Sequence, residues 1–179
     1  MNTATAQKLE SDPPQAGLTM AALMKMSQGQ LDELFKNSPP GPIPSGESSG
    51  TAIVCPGTLW SRLIARFVRR VGWQGKVFTK SPDGNDATLE NKIGPVGTEL
   101  IVARVYYTDS WLDGKRCIVL DYSKTSLLAR KIRDEIRLVA PSLYLGKVWW
   151  GKTRLIDFAL EFPPAQIERV PPSSTSAKP

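Results

Sequence analysis

Several side chains that could do chemistry interrupt otherwise apolar stretches, and burying a polar group without a partner costs about 1–3 kcal/mol, so each needs a reason. Asp121 ends the run Cys117-Ile118-Val119-Leu120-Asp121-Tyr122, where strand alternation puts it on the face of Cys117 and Val119. Facing a cavity, its carboxyl would have a raised pKa and could act as a general acid or base. The competing reading, which turn propensity favours, has Asp121 capping the following turn through backbone N–H groups. Asn91 shares a face with Leu89 and Ile93 and is expected inward, with Glu90 in solvent. Lys76, in Gln74-Gly75-Lys76-Val77-Phe78, would serve as an amine nucleophile or ligand contact only if buried, and a solvated strand lysine is the commoner case. Arg104 is either an inward anion clamp or a surface arginine lying over Tyr106. Tyr144, Trp149 and Trp150 are candidates for an aromatic wall or for plain core.

The inventory narrows the chemistry further. The chain contains no histidine, which removes Ser/His/Asp and Cys/His nucleophile systems, histidine bases and histidine metal sites. Two cysteines, Cys55 and Cys117, are too few for a disulfide scaffold or a Cys-only zinc site. No metal and no cofactor is expected, and no glycine spacing fits a phosphate loop. Without an apolar run of about 18 residues or a secretory leader, the expected location is the cytoplasm.

The elements that would position these residues can be read from periodicity. Residues 19–37 fit one or two short helices, with Ser27 and Gln30 spaced as a capping box. The connector Pro39-Pro40-Gly41-Pro42-Ile43-Pro44 cannot be helical and is expected to cross the surface extended. Strands are expected at 51–55, 73–79, 87–93, 99–108, 116–122, 143–150 and 154–162, separated by turn signals at hairpin spacing. Helical spacing predicts two further helices. One spans 58–71, with Arg62, Arg66, Arg69 and Arg70 opposite an apolar stripe. The other spans 126–139, carrying Leu127, Leu128, Ile132, Ile136 and Val139. The run Arg133-Asp134-Glu135-Ile136-Arg137 reads as an exposed ion-pair face of that helix, or as an Arg137–carboxylate bond tying helix to barrel. The fold class is mainly β (α+β). It is an antiparallel meander of seven to eight strands, closing into a barrel or curving around a helix, in one domain over 19–162. Tails 1–18 and 163–179, rich in Pro and Ser, are expected to be disordered.

Gly75-Lys76-Val77-Phe78, Asn91-Lys92-Ile93, Ser110-Trp111-Leu112-Asp113-Gly114, Val119-Leu120-Asp121-Tyr122, Arg133-Asp134-Glu135-Ile136-Arg137 and Leu143-Tyr144-Leu145-Gly146 together resemble a family of small bacterial proteins over residues 30–162. Its architecture is similar to lipocalin-like, fatty-acid-binding-type barrels. That resemblance implies a cavity for small apolar molecules and, in a few barrels of this type, cyclase or isomerase activity. The predicted helices between strands and the missing Gly-x-Trp segment of ordinary lipocalins point away from extracellular transport.

The leading expectation is therefore a cytoplasmic barrel binding a small, mostly apolar molecule, with Asp121, Asn91, Tyr144 and Lys76 as polar contacts and Trp149 or Trp150 as a wall. Arg104 and Tyr106 are further candidate contacts. The alternative is a cofactor-independent isomerase, cyclase or hydratase with Asp121 as acid/base and Asn91 or Tyr144 stabilising an oxyanion. A third reading uses the Arg62/Arg66/Arg69/Arg70 face, within a chain of net charge +6, to dock an acidic partner or an anionic membrane surface. Nucleic acid is disfavoured, because no basic stripe is interleaved with aromatics.

Overall fold

The computed structural model describes residues 17–53, 73–82, 86–93, 102–124 and 129–163. The expected helix at 58–71 and both expected tails, apart from Gly17, Leu18 and Pro163, lie outside them. Two helices come first, α1 (Met20–Leu23) and α2 (Gln28–Asn37). The Ser27–Gln30 capping box forms in both directions and starts α2. Nine strands follow: β1 (Gly46–Glu47), β2 (Ser49–Ile53), β3 (Trp73–Lys80), β4 (Ala87–Ile93), β5 (Val102–Asp109), β6 (Arg116–Asp121), β7 (Ile132–Ala140), β8 (Leu143–Trp150) and β9 (Thr153–Glu161). Their order is β1-β3-β4-β5-β6-β7-β8-β9-β2, antiparallel throughout.

That order closes a meander almost completely into a barrel. β1 pairs with β3 at one edge, β2 pairs with β9 at the other, and only Ser48 separates β1 from β2. Ser48 is buried and stitches the seam. Its N–H and Oγ donate to the Lys76 carbonyl, both at 2.9 Å, and its Oγ accepts from the Lys76 N–H at 3.1 Å. Gly75 permits this approach at a β3 bulge, since its φ is +149° and a Cβ there would overlap the Ser48 carbonyl. Gly75→Ala should therefore open the seam and lower stability by about 1–3 kcal/mol, read as a fall in the urea midpoint. An unchanged midpoint would show that the seam does not depend on this contact.

Two strand-level expectations are corrected. The count is nine among the described residues, because β1 precedes the strand expected at 51–55 and pairs with the opposite edge, and because β7 stands where a helix is expected. The helix expected at 126–139 is a 3₁₀ turn (Ala129–Lys131) running into β7. Ile132 and Ile136 are four apart, a spacing that fits both a helix face and a strand face. The deciding alternation was hidden because both faces of β7 are covered, so charged residues sit buried where polarity would ordinarily mark solvent.

The two faces of the barrel wall carry two cores. Phe78, Leu89, Ala103, Val105, Ile118, Leu120, Ile136, Phe158 and Leu160 face the interior. Outside, Leu23, Leu31 and Phe35 of α1 and α2 pack on Cys117, Val119, Val139, Leu143, Leu145 and Ala159. The 39–44 connector does not simply cross the surface. Ile43 is buried in the interior core, its N–H donates to Tyr107 Oη, Tyr107 donates to the Gly41 carbonyl, and Tyr144 donates to the Pro42 carbonyl. Proline supplies the extended backbone that lets these carbonyls face the barrel hydroxyls. With Phe162 edge-on to Phe78 and Tyr144, the connector plugs that end of the barrel.

Candidate functional site

Toward the end where β3 begins and β4 and β6 finish, four polar side chains converge inside the barrel. Lys76 lies three residues into β3, Asn91 two from the end of β4, Tyr122 just past β6, and Asp134 two into β7. Lys76 Nζ donates to Asn91 Oδ1 (3.0 Å), Tyr122 Oη (2.5 Å) and Asp134 Oδ2 (3.0 Å). Tyr122 Oη donates to the same Asp134 oxygen at 3.1 Å, and Asn91 Nδ2 reaches Tyr122 Oη at 3.5 Å. The Lys76 ammonium also lies 5.2 Å from the Tyr122 ring centroid and 5.5 Å from that of Phe158.

The ion pair is deep, with Lys76 and Asp134 side chains only 5% and 6% exposed. Burial alone would pull the lysine pKa down, but Tyr122 and Asp134 outweigh it and hold Lys76 above its ordinary value as an ammonium. Burial, then the Asp134 charge, push Tyr122 up to about 12, so its phenol stays neutral. Asp134 Oδ1, although buried, has no hydrogen-bond partner among the described residues.

The sequence candidates divide between the two faces. Asn91 is inward, as alternation requires, with Glu90 exposed. Lys76 is buried, against the commoner solvated case. Tyr144 is inward, but its hydroxyl is committed to Pro42 and burial raises its pKa. Asp121 shares the face of Cys117 and Val119, but that face is the outside of the barrel. It accepts from the Ser123 N–H (2.8 Å) and from Tyr106 Oη (3.1 Å), so the turn-capping geometry is the one present. Burial would raise its pKa, yet the Ser123 and Tyr106 hydrogen bonds hold it below the ordinary carboxylate value. Tyr106 is therefore outward too, and Arg104 is exposed with its guanidinium 5.8 Å from the Tyr106 ring. Trp149 is buried outside, edge-on to Trp111, and Trp150 is exposed at the end of β8. Asp121, Tyr106, Arg104 and Trp149 do not line the interior, because the strand face each occupies looks outward, whereas Trp150, next to Trp149 and so on the other face, sits opposite Ile132 at the exposed end of β8.

Two residues carry what the sequence did not single out. Asp134 stood inside a run of alternating charge that reads as solvent-facing, and Tyr122 stood next to a more conspicuous aspartate. The signal available was their even spacing from inward neighbours, Asp134 from Ile132 and Ile136, Tyr122 from Ile118 and Leu120.

The outer face holds a second set of buried charges, with structural duties. Arg137 forms a two-pronged bond with Asp113 (2.7 and 2.8 Å). Glu135 accepts from Ser110 Oγ, the Trp111 N–H and Arg133 Nε. Lys147 bridges Asp32 (2.8 Å) and Asp157 (3.1 Å), and Gln28 donates to Asp157, fastening α2 to the barrel. The expected exposed ion-pair face at 133–137 is thus a buried clamp, since α2 and the 110–115 loop cover it. No group of three or more metal-ligating side chains occurs among the described residues. A surface cleft of about 610 Å³ lies outside the barrel at the seam, lined by Glu47, Ser48, Ser49, Pro141, Ser142, Glu161, Phe162 and Pro163.

Acid should loosen this scaffold. Burial would raise Asp113 and Asp32, but hydrogen bonds from Arg137 to the first and from Arg154 and Lys147 to the second leave both below the ordinary 3.8. A carboxyl depressed in the folded state contributes stability above its unfolded value and loses it as pH falls toward the folded value. Asp157 has the opposite sign, because burial raises it, so it titrates first and partly offsets the loss. The urea midpoint is expected to fall below about pH 3.8, and Asp113→Asn to make that fall shallower. An equally steep fall in the variant would contradict the assignment.

The fold and the interior cluster define the class of protein: an antiparallel β-barrel with a buried ion pair in its core and two helices packed outside. A solved structure, that of a protein from Thermomonospora curvata, shares this fold at a TM-score of 0.53 and 18% identity, over 77% of this chain and 88% of that one. No protein-family model matches the chain. No curated protein matches it either. Among the described residues no helix is long and apolar enough to cross a membrane.

Proposed function

We propose that the barrel interior binds a small, mostly apolar molecule, with Lys76, Asn91, Tyr122 and Asp134 receiving its polar end and residues such as Phe158, Leu120 and Ile132 contacting its body. The observation that carries this reading is the ion pair itself. Four polar groups gathered in an apolar interior stabilise a fold poorly, because desolvating two charges consumes most of what their attraction returns. A few convergent polar groups on apolar walls are what a small-molecule site requires. The 39–44 connector closes the end of the barrel opposite the quartet.

A second reading keeps the same site and adds chemistry. A neutral phenol hydrogen-bonded to an ammonium, beside a carboxylate oxygen that has no hydrogen-bond partner among the described residues, could move a proton without a cofactor. On that reading the acid/base is Asp134, since Asp121 faces away. The docking reading for the 58–71 arginine face concerns residues outside the described ones.

Native mass spectrometry of the purified chain, followed by organic extraction, tests the binding reading. The expected result is a complex of constant added mass that extraction converts to the bare chain. A protein of sequence mass alone that also takes up no neutral apolar probe would overturn it.

A further inference from the structure

Asp134 presents its two oxygens unequally. Oδ2 accepts from both Lys76 Nζ (3.0 Å) and Tyr122 Oη (3.1 Å), whereas Oδ1 accepts from nothing among the described residues, on a side chain 6% exposed. An ionised carboxylate only accepts, so the group that completes Oδ1 must be a donor. Leaving such an oxygen bare in an apolar interior is unfavourable, and a donor supplied by a ligand relieves it.

The charge of the cluster narrows the donor. Lys76 contributes one positive and Asp134 one negative charge, while Tyr122 and Asn91 are neutral, so the quartet is balanced. A ligand carboxylate would bring a second negative charge beside Asp134 and no donor. An ammonium would donate, but would bring a second cation beside Lys76. A ketone or ester would bring no donor. A hydroxyl donates and leaves the quartet neutral, avoiding the desolvation cost of a third charge beside it.

We propose that the ligand of this barrel is an apolar alcohol, whose hydroxyl donates to Asp134 Oδ1 while its hydrocarbon body lies among the interior side chains. This rests on the reading that the barrel interior is the binding site, and it excludes a fatty acid or a fatty amine as the preferred occupant.

The test compares three ten-carbon chains, 1-decanol, decanoate and decylammonium, by calorimetry on the full chain, with displacement of a neutral apolar fluorescent probe as a second readout. Decanol should bind about tenfold or more tightly than either charged chain, and Asp134→Asn should weaken decanol about tenfold. Because Asp134→Asn strands Lys76 and could unfold the chain, the charge-balanced double variant Lys76→Met/Asp134→Leu is measured beside it. It should bind the neutral probe but lose the preference for decanol. Equal or tighter binding of decanoate or decylammonium overturns the alcohol assignment and leaves the binding site standing. So does decanol affinity unchanged in the folded variants, the result expected if Oδ1 is served by water only. Failure of the wild type to take up any of the chains or the probe overturns the barrel reading and this inference with it.

Discussion

Arg137→Met is expected to destabilise the protein by about 3–5 kcal/mol, the usual cost of removing one partner from a buried ion pair. The Arg137 side chain is 1% exposed and joins three parts of the chain. It holds Asp113 in the β5–β6 loop with both prongs, donates to the carbonyls of Lys115 and Arg116, and reaches back to the Phe35 carbonyl of α2, whose ring lies 4.6 Å beneath the guanidinium. Methionine preserves volume but leaves the nearly buried Asp113 carboxylate without its partner charge and takes one donor from each of the Phe35, Lys115 and Arg116 carbonyls. Against a total stability of about 5–15 kcal/mol, that loss should lower the urea midpoint by about 1 M or more. Arg137→Lys should recover little, because an ammonium cannot reproduce the planar two-pronged bond. A loss under about 1 kcal/mol for Arg137→Met would mean that the clamp is not what fastens α2 and the 110–115 loop to the barrel.

The second large effect separates function from stability. Lys76→Met alone should cost about 3–5 kcal/mol, because Asp134 is left as an uncompensated buried charge. Lys76→Met combined with Asp134→Leu should regain that loss, ending within about 1 kcal/mol of the wild type or above it, since well-packed apolar replacements of a buried pair are often neutral or stabilising. If the double variant is as stable as the parent yet has lost the preference for decanol over the charged chains, the pair is maintained for binding at the expense of core stability. If the double variant is as unstable as either single one, the quartet is a structural element and the binding proposal loses its main support. Chemical denaturation of the four proteins in one cycle gives the stabilities, and calorimetry with the three chains gives the binding.

The parts of this architecture visible in the sequence are those governed by local chemistry. Flanking turn residues put β8 at its observed bounds, and turn signals between β-rich runs locate β3 to β6. The capping box located α2. What escaped depends on contacts distant in the chain. β7 carries Asp134, Glu135 and Arg137 buried in succession, and nothing local says that α2 will cover its outer face or that Lys76, 58 residues earlier, will meet Asp134 across the interior. Alternation puts Asp121 on the face of Cys117 and Val119, but which face of the sheet becomes the interior is decided by where the helices dock. The additional strand β1 ahead of β2 depends on the Ser48 seam, a property of barrel closure that no hydrophobic period encodes.

The central claim is that the barrel interior, and not its helix-covered outside, receives a small apolar molecule at the Lys76–Asp134 cluster. Methyl-resolved NMR during titration with 1-decanol tests it most directly, because isoleucine and leucine methyls report separately on the two cores. Shifts that saturate at Leu89, Ile118, Leu120 and Ile136, with Leu23, Leu31 and Leu145 unmoved, are the predicted result. Shifts confined to Leu23, Leu31 and Leu145, or none at either set, would contradict it.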